Sequence, residues 1–170
     1  MGNHYFHINM HKAVFLDRDG VINEERKDYV KKLEEFEIFE NIFDAIKILK
    51  EKGFLVIIIT NQSAINRNLL TVKELEKIHR YLHNKLKSQN TSIDGIFYCP
   101  HRPDENCLCR KPKPGLLLQA ANDYQINLKD SFFIGDSQTD IDAAKSAGCK
   151  GILLEKDQKL IDIVNQYFVQ

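Results

Sequence analysis

The stretch AVFLDRDG, residues 13–20, decides how the rest of the chain is read. Ala13, Val14, Phe15 and Leu16 form an apolar run with no polar residue before Asp17, the pattern of a buried strand. Extended backbone sends alternate side chains to opposite sides, so Asp17 and Asp19 can face one place while Arg18 points elsewhere. Gly20 then frees the backbone for a turn. Two carboxylates at the mouth of a hydrophobic strand repel each other unless a cation lies between them. Hard oxygen ligands of this kind suit Mg²⁺, which commonly takes one or two carboxylates plus a phosphate oxygen. Taken alone, the stretch also reads as a turn opened by two aspartates, and the remainder of the chain decides against that.

Working outward, residues 21–40 are polar and irregular and read as a loop or small flap beside the mouth of this strand. Asn41 is the candidate N-cap of a helix running to Lys52, with Ile42, Ala45, Ile46 and Leu49 on one face and Gly53 stopping it. FLVIII, 54–59, is the strongest strand, and TNQS, 60–63, is its polar mouth. A continuous β-branched run of this sort is typical of a parallel strand covered on both faces. Thr71 with Glu74 makes a capping-box pattern ahead of a helix whose buried stripe is Leu75, Ile78, Leu82 and Leu86. His79 and His83 lie one turn apart on that helix. Without the adjacent glutamate of a zinc-protease motif they read as surface or packing histidines. Further strands are expected at 93–99, 131–134 and 151–154, and further helices at 116–124, 140–147 and 158–168.

Strands alternating with helices specify an α/β fold: a Rossmann-like, three-layer α/β/α sandwich around a mainly parallel five-stranded sheet. In such sheets ligands bind outside the carboxyl ends of the strands. Asp17 with Asp19, Thr60 with Asn61, and Asp136 all stand at those ends. This convergence lifts the aspartate pair above a turn.

At 170 residues the chain is expected to form one domain, 1–170, with 1–11 as a flexible tail in which His4, His7 and His11 carry no assigned role. Its 24 basic and 24 acidic residues balance, which argues against a nucleic-acid or membrane-surface partner. No apolar run approaches the roughly 20 residues of a membrane span, and the start lacks a signal-peptide core. A cytoplasmic monomer acting on a small molecule is the expectation. Of the four cysteines, Cys149 reads as a small buried residue, while Cys99, Cys107 and Cys109 crowd one loop, 99–113. Cys99-x-His101 followed by Cys107-x-Cys109 supplies four ligands in two pairs, the set a closed structural Zn²⁺ site requires. The alternatives are a reduced loop without metal, or a disulfide from Cys99 to one of the later pair.

DRDG at 17–20, TNQS at 60–63, RKPKPG at 110–115 and GDSQTD at 135–140 together resemble the four motifs of the haloacid dehalogenase-like phosphatases. The stretch from Cys99 to Gly115 is further similar to the D-glycero-D-manno-heptose 1,7-bisphosphate phosphatases and the related histidinol-phosphatase domains. The resemblance implies that Asp17 is the nucleophile of an aspartyl-phosphate mechanism and Asp19 the general acid and base. Mg²⁺ is then held by Asp17, the backbone carbonyl of Asp19, and Asp136, with Thr60 and Lys111 stabilising the transferred phosphoryl group. Asn61, Gln62, Ser63, Arg110, Glu25 and Asp28 are placed around the substrate. Crowding of Asp17, Asp19 and a phosphate dianion is expected to keep Asp19 protonated. No insert long enough for a large cap is present, so short loops at 24–29, 64–70 and 99–113 should cover the site. Heptose bisphosphate and histidinol phosphate both remain open: the first needs cations at its distal end, the second carboxylates, and the loops hold both. The resemblance favours the heptose.

Overall fold

The computed structural model describes residues 10–169. Five strands, β1 (Ala13–Leu16), β2 (Leu55–Asn61), β3 (Gly95–Cys99), β4 (Phe132–Gly135) and β5 (Lys150–Leu153), form one parallel sheet in the order β3-β2-β1-β4-β5. The helices are α1 (Ile42–Glu51), α2 (Val72–Ser88), α3 (Gly115–Asp123), α4 (Gln138–Ala147) and α5 (Leu160–Phe168). All four residues of β1 are fully buried, because the central strand is covered on both faces. Alternation assigns Val14 and Leu16 to a core shared with α1, α2 and α5, and Ala13 and Phe15 to a core shared with α3 and α4. Three layers result.

The chain steps outward from β1 to β2 and β3, then returns to place β4 on the other side of β1. Neighbouring loops therefore diverge at the β1/β4 boundary and leave a crevice beyond the strand ends. Pairing of Leu16 with Ile134 brings Asp17 beside Gly135 and Asp136 at that crevice. Pairing of Leu16 with Ile58 brings the Thr60 end of β2 to its other side.

The expected elements all form, with ends shifted by up to two residues. Residues 93 and 94 stay outside β3, because the Asp94 carboxylate instead accepts from the Val56 N–H at 2.7 Å and from Lys50 Nζ at 2.7 Å. Thr71 caps α2 by accepting from the Glu74 N–H at 3.1 Å, but the Glu74 carboxylate does not complete the box; it accepts from the Leu33 N–H at 3.2 Å. That bond helps to hold the flap. Segment 21–40 is more firmly seated than its polar composition implies: Val21, Ile22, Val30 and Phe36 are buried, and the Phe39 N–H donates to Ile22 O at 3.0 Å. Its apolar residues are irregularly spaced, so no period announces them. The tail expected at 1–11 does not extend to His11, whose backbone bridges Gln125 and Asn127 at 2.9 and 2.8 Å; His4 and His7 lie outside the described residues. Cys149 is buried as expected.

Candidate active site

Beyond β1 the backbone turns sharply. The Arg18 carbonyl accepts from the N–H groups of Val21, Ile22 and Asn23, and Gly20 adopts φ +87°. A β-carbon at Gly20 would overlap the Asp136 carboxylate, so glycine is required both for the turn and for the approach of Asp136. Asp140, in the first turn of α4, approaches Gly135 so closely that a β-carbon there would overlap it in the same way. Single oxygens of Asp17, Asp136 and Asp140 all lie within 4.8 Å of one another.

One cation faces this trio. Lys111 is almost fully buried, and its ammonium lies 2.9 Å from Asp17 Oδ1 and 2.6 Å from Asp140 Oδ1, donating also to Ile59 O at 3.0 Å. Despite burial, those two carboxylates hold its pKa above the ordinary lysine value. The loop that carries it is pinned by Asn61, which accepts from the Lys111 N–H at 3.1 Å and donates to the Lys111 carbonyl at 3.3 Å. Burial pushes the Asp17 carboxyl up to about 7, with Lys111 opposing and Asp140 and Asp19 adding to the rise. Burial, then the Asp140 and Glu25 charges, push Asp136 up to about 6. One ammonium against one buried and two half-buried carboxylates leaves a deficit of positive charge, and Mg²⁺ fits it in charge and ligand type.

Asp19 stands apart from this trio. Its carboxylate accepts from Arg18 Nη2 at 2.8 and 3.0 Å, Asn23 Nδ2 at 2.9 Å and Gln62 Nε2 at 2.8 Å. Burial alone would raise its pKa, but the Arg18 charge and these donors bring it below the usual carboxylate value. Without a phosphate dianion beside them, Asp19 is therefore the lowered carboxyl and Asp17 the raised one. Arg18 points away from the cavity that Asp17 and Asp19 line, as alternation implies, and its guanidinium folds back onto the Asp19 carboxylate.

Residues 99–113 gather the second cluster. Cys99, His101, Cys107 and Cys109 offer one ligand atom each within 4.8 Å, and all the cysteines are free thiols. Sγ–Sγ separations are 3.1, 3.6 and 3.6 Å, and His101 Nδ1 lies 3.4 and 3.3 Å from Cys99 and Cys109. Zinc–sulfur bonds of about 2.3 Å and zinc–nitrogen bonds of about 2.0–2.1 Å imply tetrahedral edges of roughly 3.5–3.8 Å, so Zn²⁺ fits. The Arg110 N–H donates to Cys107 Sγ at 3.3 Å, and its guanidinium donates to His101 O at 3.1 Å. Leu108, between two inward-facing ligands, is consequently thrown out to solvent.

A cavity of about 470 Å³ opens above these groups. Asp17, Asp19, Asp136, Asp140 and Lys111 line its floor, and Glu25, Arg26, Lys27, Tyr29, Asn61, Gln62, Ser63, Arg67, Pro103 and Arg110 contribute to its walls. Thr60, expected at the phosphoryl group, is buried and not among the lining residues; its hydroxyl accepts from Gln62 Nε2 at 2.9 Å. Asp28 is not brought to the cavity; it pairs with Arg26 at 3.1 Å and Lys31 at 2.6 Å.

The family described as haloacid dehalogenase-like hydrolase matches residues 10–148. The chain belongs to that family. It is 48% identical over 148 residues to a D-glycero-beta-D-manno-heptose-1,7-bisphosphate 7-phosphatase of Helicobacter pylori (strain ATCC 700392 / 26695), covering 86% of this chain and 85% of that protein. A protein of the same name from Pseudomonas putida is 43% identical over 144 residues, covering 85% and 82%. Among solved structures, the D,D-heptose 1.7-bisphosphate phosphatase of B. bronchiseptica, complexed with magnesium and phosphate, superposes with a TM-score of 0.80 at 38% identity, covering 84% of this chain and 79% of that one.

Among the described residues this haloacid dehalogenase-like hydrolase has no large cap; short loops wall the cavity instead. Sequence reasoning missed Asp140, although the quoted GDSQTD motif ends on it. It also missed Asn23 and the contact of Arg18 with His79, for which the sequence offers no signal.

Proposed function

We propose that the protein is a Mg²⁺-dependent phosphatase that removes the 7-phosphate of D-glycero-D-manno-heptose 1,7-bisphosphate through an aspartyl-phosphate. The observation that carries the substrate is the charge of the cavity wall. Lys27, Arg67 and Arg110 line it with no carboxylate partner among the described residues. Against them stands one wall carboxylate, Glu25. Of the other acids in these loops, Asp104 pairs with Arg102, Glu105 binds Asn66, and neither lines the cavity. Such a wall suits a second phosphate and offers little to the ammonium of histidinol phosphate. The names of the relatives above point the same way.

In this reading the Asp17 carboxylate attacks phosphorus, and the leaving sugar oxygen takes its proton from Asp19. A phosphate dianion entering beside Asp19 raises its proton affinity for that step. Asp19, ionised again and held by Arg18, Asn23 and Gln62, then takes a proton from the water that attacks the acyl phosphate, releasing phosphate and regenerating Asp17. Lys111 offers positive charge to the equatorial oxygens as charge collects on them. Asp17, Asp136 and the Asp19 carbonyl would hold Mg²⁺, which would supply further neutralisation of the phosphoryl group.

Phosphate release measured on heptose 1,7-bisphosphate, heptose 7-phosphate and histidinol phosphate tests the assignment. The bisphosphate should be the best substrate. Combined Arg67→Ala and Arg110→Ala should raise its KM about tenfold or more, with a smaller effect on the 7-monophosphate. Faster turnover of histidinol phosphate would overturn the reading.

A further inference from the structure

The turn that presents Asp17 and Asp19 also sends an arginine inward. Arg18 has 0% relative exposure. Beyond its contacts with Asp19, its Nη1 lies 3.3 Å from Nε2 of His79 on α2, and its guanidinium carbon lies 5.4 Å from the centre of the Phe36 ring. A guanidinium can only donate, so His79 Nε2 is the unprotonated acceptor. Burial and the Arg18 charge both disfavour the imidazolium and hold His79 down at about 3. His79 does not line the cavity.

Stability offers no reason for this arrangement. Arg18 Nε has no hydrogen-bond partner, and a buried ion pair is often matched or bettered by apolar side chains of similar volume. Its two contacts do offer a reason: one end grips the reacting carboxylate, and the other is tied to a helix 61 residues away in the chain. We propose that Arg18 and His79 are positioning residues. His79 holds the Arg18 guanidinium, and through it the Asp19 carboxylate, in the orientation that reaches the leaving-group oxygen. The inference rests on the acid–base role given to Asp19 above.

The test separates leaving groups. His79→Leu removes the acceptor, and His79→Gln keeps an acceptor oxygen. Turnover is compared on heptose 1,7-bisphosphate, whose sugar oxygen must be protonated to leave, and on p-nitrophenyl phosphate, whose phenolate leaves without a proton. His79→Leu should lower kcat on the bisphosphate by about tenfold or more with KM nearly constant, and the loss on p-nitrophenyl phosphate should be at least about fivefold smaller. His79→Gln should recover most of the difference. Arg18→Lys, which keeps the charge but not the forked contact, should show the same split. Asp19→Asn is the benchmark: absence of a split there removes the acid–base reading itself. A split in Asp19→Asn combined with equal losses on both substrates in His79→Leu and Arg18→Lys, whatever their melting temperatures, would overturn the positioning role alone.

Discussion

Replacing Asp140 by asparagine removes one charge from the buried Asp17–Lys111–Asp140 array and little else. Side-chain exposure is 3% for Lys111 and 0% for Asp140, and their atoms lie 2.6 Å apart. Breaking a buried pair by removing one partner costs about 3–5 kcal/mol when the remaining charge is stranded. Lys111 is not stranded, because Asp17 Oδ1 at 2.9 Å and Ile59 O at 3.0 Å stay in place. If the asparagine oxygen keeps accepting from the Ser137 N–H and hydroxyl, which Asp140 Oδ2 does at 3.2 and 2.9 Å, the start of α4 keeps its cap, but the amide NH2 is turned toward the Lys111 ammonium, donor against donor. With the other partners of Lys111 retained, the loss should fall at the low end, about 3 kcal/mol. For a chain of this size that is a fall in Tm of roughly 6–12 °C. Thermal melts with chelator present, backed by urea unfolding with an unchanged m-value, measure it. Turnover should drop as well, since Lys111 loses one of the groups that aim it. A Tm within about a degree of the parent would refute the argument that Asp140 holds Lys111.

Asp17 and Asp136 titrate above the ordinary carboxylate value, so between about pH 4 and pH 7 the folded chain binds more protons than the unfolded one, and metal-free stability falls as pH rises through that window. Millimolar Mg²⁺ should accordingly raise Tm far more near pH 8 than near pH 5, and an equal gain at both would speak against these carboxylates as the cation site. Asp19, depressed, contributes stability that is lost only as pH falls below the ordinary carboxylate range. At the cysteine loop, elemental analysis should find about one zinc per chain. Cys107→Ser should lower Tm and raise KM more than it lowers kcat, because Arg110 is tied to Cys107 and His101, whereas Lys111 is also tied to Asn61. Zinc near zero, or an unaltered Cys107→Ser enzyme, would remove the structural-metal reading.

Local patterning carried most of the architecture. The β1 and β2 runs are continuous and apolar because both faces are covered, and α2 shows its stripe because Leu75, Ile78, Leu82 and Leu86 repeat at helical spacing. The flap at 21–40 was less legible, because Val21, Ile22, Val30 and Phe36 enter the core without any period. Asp94 likewise reads as part of a strand until its carboxylate is seen accepting from the Val56 N–H of β2.

The sequence by itself determined the alternating α/β order, the aspartates at the strand ends and the four metal-type ligands of the cysteine loop, since each depends on neighbours only a few residues away. Tertiary structure alone decided the protonation and aim of the site. Lys111 meets Asn61 across 50 residues, Gln62 meets Asp19 across 43, and Arg18 meets His79 across 61. A carboxylate's charge state follows burial and partners brought together by the fold. Hence Asp19 is held ionised and Asp17 is raised, a distinction that the bare spacing of two aspartates does not make.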